Sequence, residues 1–152
     1  MKAAPRPCSI ADALSLVGEK YSLLVLREVL LGVRRFDRIA RNTGAPRDIL
    51  TARLRKLVEA GVLEKVPYSE RPQRYEYRAT AAGEELQPVL LALMTWGDRH
   101  LNEVPPVVLT HRCGDELTPR LVCAGCGGDV DDASVTDRVD PPGWTRTGPA
   151  GD

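Results

Sequence analysis

Long apolar runs are missing from this sequence. No stretch approaches the ~18 residues that a membrane-spanning helix requires, and the opening M-K-A-A-P-R-P has no apolar secretory core. A cytoplasmic protein with no membrane partner is the expectation. Aromatics are scarce, 5% of the chain with a single Phe. A Gly-rich phosphate loop, a Ser/His/Asp set and a pair of carboxylates in a pocket-like setting are all absent, which argues against an enzyme. Only four Cys and two His occur. In a chain of this kind such cysteines read as thiols or metal ligands before they read as a disulfide framework.

Net charge is missing too, but its absence hides an asymmetry. Residues 1–80 hold 16 Lys+Arg against 9 Asp+Glu, a formal +7, and residues 81–152 hold 5 against 12, a formal −7. A basic half is the electrostatic footprint of a protein that meets a phosphate backbone, and the acidic half should keep clear of it.

What is present begins with a chain of short helices. Residues 1–7, with two prolines, read as a loose arm. Ser9 is a plausible N-cap for a helix carrying Ile10, Leu14 and Val17 on one face, closed by Gly18. A second helix, about Tyr21 to Leu31, is apolar nearly all round, the mark of a helix at the centre of a fold. A third, about Phe36 to Asn42, places Phe36, Ile39 and Ala40 on its inner face. Gly44 then suits a turn needing positive φ, Pro46 the first turn of the next helix, and Asp48 the positive end of its dipole.

The fourth helix, about residues 46–60, repeats Leu50, Leu54, Leu57 and Val58 inward. Arg47, Thr51 and Arg55 lie on the opposite face, with Asp48 and Ala52 beside them. That is the form of a helix that enters the major groove, where Arg bonds guanine and the Thr methyl meets thymine. A solvated polar face is the bland alternative. Val62–Val66 and Tyr75–Ala79 read as strands joined by a polar loop, with a wing over 68–74. Arg71, Gln73 and Arg74 on that wing, and Arg35 before the third helix, are candidates for phosphate or minor-groove contact. Thr80 is a natural N-cap for a long last helix, about Ala81 to Leu101, with a kink or weak start at Pro88. Its stripe of Leu86, Val89, Leu90, Leu93, Met94 and Gly97, with Trp96 beside it, has more apolar surface than one small core needs, so a homodimer is expected.

Those residues resemble the HxlR family of bacterial transcription regulators, relatives of the MarR type. The resemblance rests on Cys8, Gly18, Lys20, Tyr21, Leu26 and Arg27 in the stretch from Cys8 to Leu30. It continues through L-T-A-R-L-R-K-L-V-E-A-G (Leu50–Gly61), Y-E-Y-R-A-T-A-A-G (Tyr75–Gly83) and W-G-D-R-H (Trp96–His100). Tyr21 stands where Trp is commoner. The resemblance implies a mainly α (α+β) winged helix-turn-helix domain over residues 8–104. It further implies a homodimeric repressor or activator that binds double-stranded DNA and needs no cofactor to do so. Some members use an N-terminal cysteine as a redox or electrophile sensor, and Cys8 matches that position. A small buried side chain is the alternative reading of Cys8.

After Pro105 and Pro106 comes a small Cys/His appendage, residues 105–130, in which His111-x-Cys113 and Cys123-x-x-Cys126 stand close in sequence. Three readings compete. The four could form a structural zinc site, Cys123 and Cys126 could be an oxidisable dithiol, or all could be free side chains in a hairpin whose flanks, Val107–Leu109 and Leu121–Val122, pair with each other. Residues 131–152 are acidic, then Pro/Gly-rich, and read as a flexible tail. Two alternatives stand beside a DNA-binding regulator: a thiol- or metal-responsive sensor using Cys8 or the Cys113/Cys123/Cys126 cluster, and a winged-helix protein–protein adaptor.

Overall fold

A computed structural model describes residues 6–136, 138–139 and 141–150. The chain falls into two compact units: residues 10–104, and residues 1–9 together with 105–152. Along the first unit run α1 (Ser9–Val17), α2 (Lys20–Leu30), α3 (Phe36–Thr43), α4 (Arg47–Glu59), β1 (Leu63–Glu70), β2 (Gln73–Ala79), α5 (Ala81–Glu84) and α6 (Gln87–His100).

α2 is the post against which the rest is stacked. It packs on α3, α4, β2 and α6, and buries Ser22, Val25, Leu26, Glu28 and Val29. Leu23 and Leu30 are only half-buried against the core, and Leu31 lies past the helix end and is exposed. The core is aliphatic: Val17, Val25, Leu26, Val29, Ile39, Leu50, Leu54, Leu57, Val62 and Leu63 are all buried. α4 contributes three of these at the i, i+4, i+7 spacing of one helix face.

Several boundaries differ from expectation for physical reasons. Ser9 is the first residue of α1 rather than its cap, and Ile10 and Leu14 are exposed while Val17 is buried. Pro46 precedes α4 as its N-cap, with φ −54° and ψ 141°. Its ring fixes φ but leaves ψ extended, which suits a cap as well as a first turn. Gly44, with φ 66°, closes α3 in the left-handed region and turns the chain toward α4, as its position implied.

The polar stretch read as a loop over 68–74 is almost all strand. Leu63 pairs with Ala79 and Glu70 with Gln73, Tyr68 is left over at a bulge, and only Arg71 and Pro72 make the turn. A two-stranded ribbon has free outer edges and a solvated tip, so charged residues and Pro67 do not prevent pairing. The last helix is broken. Thr80 caps α5, its Oγ1 accepting from the Gly83 amide at 3.3 Å. α5 then stops at Glu84, and α6 starts anew with Pro88 in its first turn, because a proline ring cannot follow an unbroken helical ladder. No residue of α6 is fully buried. Leu90 packs on the core, whereas Val89, Leu93 and Trp96 are exposed.

In the other unit, residues 105–150 carry no helix or extended strand among the described residues, only isolated bridges at Thr110–Glu116, Val122–Asp129 and Trp144–Pro149. The flanks expected to pair with each other instead pair across their own turns, Leu109 with Leu117 and Leu121 with Val130. At the start of the tail, Asp131 and Ser134 close a turn through reciprocal 2.8 Å bonds. Further along, the Arg6 guanidinium lies 5.6 Å from the Trp144 ring. The rest of the arm, residues 1–5, and residues 137, 140, 151 and 152 of the tail lie outside the described residues.

Two substitutions test this packing by urea denaturation. Leu54→Ala, at a site 1% exposed, is expected to cost about 2–5 kcal/mol. Gly83→Ala would set a Cβ 2.3 Å from the Val62 carbonyl oxygen, and an expected cost of about 1–3 kcal/mol follows from the forced backbone shift.

Candidate nucleic-acid interface

The surface that matters is dictated by the periodicity of α4. With Leu50, Leu54 and Leu57 held inward, Arg47, Asp48, Thr51 and Arg55 must face solvent, and all four are exposed. Together with Ala52 and Phe36 they line a shallow concavity of about 470 Å³. Pro46, the N-cap of α4, is exposed but does not line it. The Arg47 guanidinium lies 4.8 Å from the Phe36 ring and bonds Asp37 at 2.9 Å. Both partners of that pair are more than two-thirds exposed, so it contributes no more than about 1 kcal/mol and yields readily to a stronger anion. Arg55 meets Glu59 at 3.7 Å one turn on. Thr51 donates its hydroxyl to the Arg47 carbonyl at 2.8 Å.

A second concavity, about 550 Å³, adjoins the first at Phe36 and runs between the start of α3 and the wing. Arg35, Arg38, Lys65 and Arg74 line it against a single acid, Asp37, with Gln73, Tyr68, Tyr75 and Tyr77 between them. Two of the cations are set over rings: Arg35 4.6 Å from Tyr68, and Lys65 4.1 Å from Tyr75. Stacking of this kind holds a long side chain extended while leaving its N–H groups free to donate. Arg38, Lys65 and the tyrosines were missed in the sequence. Arg38 follows Arg35 at i+3 and could have been found on that spacing, but Lys65 is brought there by strand register alone. Arg71 sits exposed at the turn and lines neither concavity.

The frame behind this surface is polar and specific. Glu28, 4% exposed, accepts from Arg27 at 3.0 and 2.7 Å through one carboxylate oxygen and from Asn42 at 2.7 Å through the other, tying α2 to the end of α3. Glu19 gathers Arg53 and, at 3.2 Å, Lys56, fixing the inner side of α4 to the corner between α1 and α2. The Tyr77 amide donates to the Arg34 carbonyl at 2.8 Å, docking the wing on the linker before α3. Burial pushes the Tyr77 phenol above its ordinary pKa, so it stays neutral at the inner wall.

The thiols stand apart. Cys8 is half-buried, while Cys113, Cys123 and Cys126 are exposed and all four are free. His111 Nδ1 and Cys113 Sγ are 3.1 Å apart. The backbone amides of Cys126 and Gly125, then the Cys126 thiol, hold the Cys123 thiol below its ordinary pKa. Among the described residues no three His, Cys, Asp or Glu side chains gather around one point, so the two pairs do not converge.

Helix, left-handed turn, helix and a basic two-stranded ribbon together make a winged helix-turn-helix protein. The chain belongs to the HxlR-like helix-turn-helix family, whose model matches residues 16–105. It is 48% identical over 136 residues to an uncharacterized HTH-type transcriptional regulator of Mycobacterium tuberculosis, covering 88% of this chain and 86% of that one. The crystal structure of PA1607, described as a candidate transcription factor, matches with a TM-score of 0.78 at 33% identity, covering 89% of this chain and 96% of that one. A candidate transcription factor of Pseudomonas aeruginosa matches at 0.62 and 39%, covering 92% and 97%. Helix-turn-helix regulators of transcription are therefore its relatives, and the resemblance seen in the residues holds. No helix of the described residues is long and apolar enough to cross a membrane.

The two kinds of ion pair should separate in unfolding experiments. Glu28→Ala, which strands Asn42 and Arg27, is expected to cost about 1–3 kcal/mol. Asp37→Asn is expected to change stability by less than about 1 kcal/mol.

Proposed function

We propose that this chain is a DNA-binding regulator of transcription rather than an enzyme, working as a homodimer in the cytoplasm. α4 enters the major groove, and the wing lies on the backbone or in the minor groove. The observation that carries the reading is the pair of adjoining concavities, which present Arg47 and Arg55 on one side of Phe36 and Arg35, Arg38, Lys65 and Arg74 on the other. Six cations against two carboxylates, Asp37 and Asp48, along one face of a helix-turn-helix fit a polyanion that follows a groove. Arg47, Thr51 and Arg55, with Asp48 and Ala52, read bases. Arg35, Gln73, Arg74 and Arg71 hold phosphates. A protein–protein adaptor would have no use for a cation row this long on the outward face of α4 and the wing.

Dimer formation is supported by apolar surface that the unit 10–104 leaves uncovered. Ile10 and Leu14 on α1 are 70% and 54% exposed, and Val89, Leu93 and Trp96 on α6 are 45%, 51% and 56% exposed. A second copy is the simplest cover, and it would pair two reading helices on one duplex.

Gel-shift titration against the DNA upstream of the coding sequence, at two salt concentrations, tests the first part. Arg55→Ala is expected to weaken the specific site by about 1–3 kcal/mol. Arg74→Ala should weaken all duplexes alike and flatten the salt dependence by about one unit of slope. Failure to bind any duplex at low salt overturns the reading. For the dimer, Leu93→Glu should give a folded monomer by light scattering, with affinity for the paired site falling by about a hundredfold or more.

A further inference from the structure

The family match ends at residue 105, yet the relatives named above align with 88% or more of this chain, so the appendage is shared and its chemistry needs its own account. Its first difficulty is what holds it together. Between residues 105 and 136 no residue is buried, and only Leu109, Leu117 and Pro119 are even half-covered. Val107, Val108, Leu121 and Val122 are exposed. A segment with no core cannot be stabilised by apolar burial, and small units in that position rely on a disulfide, a metal or a partner.

Its second feature is repetition. The segment is two turns of one plan. In the first, the Leu117 amide donates to the Leu109 carbonyl at 2.7 Å and, inside that, the His111 amide donates to Asp115 at 2.9 Å. In the second, the Val130 amide donates to Leu121 at 3.0 Å and, inside that, the Cys123 amide donates to Gly128 at 2.8 Å. His111 and Cys123 therefore occupy equivalent places at the base of each turn, and Cys113 and Cys126 follow them within it. In the first turn the imidazole Nδ1 and the thiol are already 3.1 Å apart. In the second, the amides of Gly125 and Cys126 point at Cys123 Sγ.

We propose that these two turns are the halves of one structural zinc site, with His111, Cys113, Cys123 and Cys126 as its four ligands. Each turn offers one pair; the two pairs stand apart in this structure, and binding draws both onto one ion. Three thiolates and one imidazole make a closed tetrahedral set, with no open position for a reacting water and bond lengths of about 2.3 Å to sulfur and about 2.0–2.1 Å to nitrogen. Binding releases the thiol protons to solvent and supplies the cross-link that the missing core does not. The Asp115 carboxylate accepts from the Cys113 thiol at 3.8 Å.

Native mass spectrometry of the full chain, purified under reducing conditions with zinc sulfate, tests this. One zinc per chain is expected. Cys123→Ser/Cys126→Ser should retain at least about tenfold less, with an unchanged helical circular dichroism because the unit 10–104 has its own core. Replacing zinc by cobalt(II) in the unsubstituted protein should produce thiolate-to-metal charge-transfer absorption and intense tetrahedral d–d bands. Absence of metal in the reduced chain, retention of zinc by the double variant, or half an equivalent per chain would each overturn the four-ligand site. A Cys123–Cys126 disulfide that persists in the reduced preparation would overturn it as well. None of these outcomes depends on DNA binding, so the two readings fail separately.

Discussion

Everything in the first unit depends on α4 being held by three leucines. Leu50, Leu54 and Leu57 are each 1% exposed or less, and their spacing allows only one rotation of the helix about its axis. Once that rotation is set, Arg47, Thr51 and Arg55 have no choice of direction. A helix that both anchors and reads must divide its circumference between the two tasks. Here the division leaves the smaller residues, Thr51 and Ala52, between the two arginines, which opens the concavity rather than filling it.

Rotation alone does not aim a helix. Its tilt and its distance from the wing come from polar ties that the apolar core could not supply. Glu28 is a buried carboxylate in an aliphatic core, a costly placement unless its oxygens are bonded, and both are. Because its partners sit on α2 and α3, that cost is offset by a fixed angle between them. Glu19 does the same for α4 from the outer corner, and the Tyr77 amide for the wing. Dispersion and burial hold the helices together, and directional bonds select one arrangement among the many that would bury the same leucines.

Much of this was legible in the residues. The helix periods, the turn at Gly44, the cap at Thr80 and the two faces of α4 could be read because each depends on neighbours within a turn or two. The wing was read too short. Composition marks Tyr68–Arg74 as polar, and strand pairing there depends on the backbone opposite rather than on side-chain type. The last helix was read too long, since Pro88 announced a disturbance but not whether the chain would bend or stop. Lys65 and Tyr68 escaped notice as interface residues because nothing local distinguishes them from ordinary strand positions.

The sequence by itself determined the aliphatic core, the order of elements, the face of α4 that points outward and the concentration of positive charge in the first half of the chain. These follow from periodicity and composition, which act over a few residues. Only the tertiary structure decided that Phe36 joins two concavities into one surface, that Arg35 and Lys65 are laid over Tyr68 and Tyr75, and that Glu28 takes partners from two helices. It also decided that His111 and Cys123 stand at matching places in two turns of one design. Each of these joins residues through backbone folding and register, and no local rule of propensity carries information across that distance.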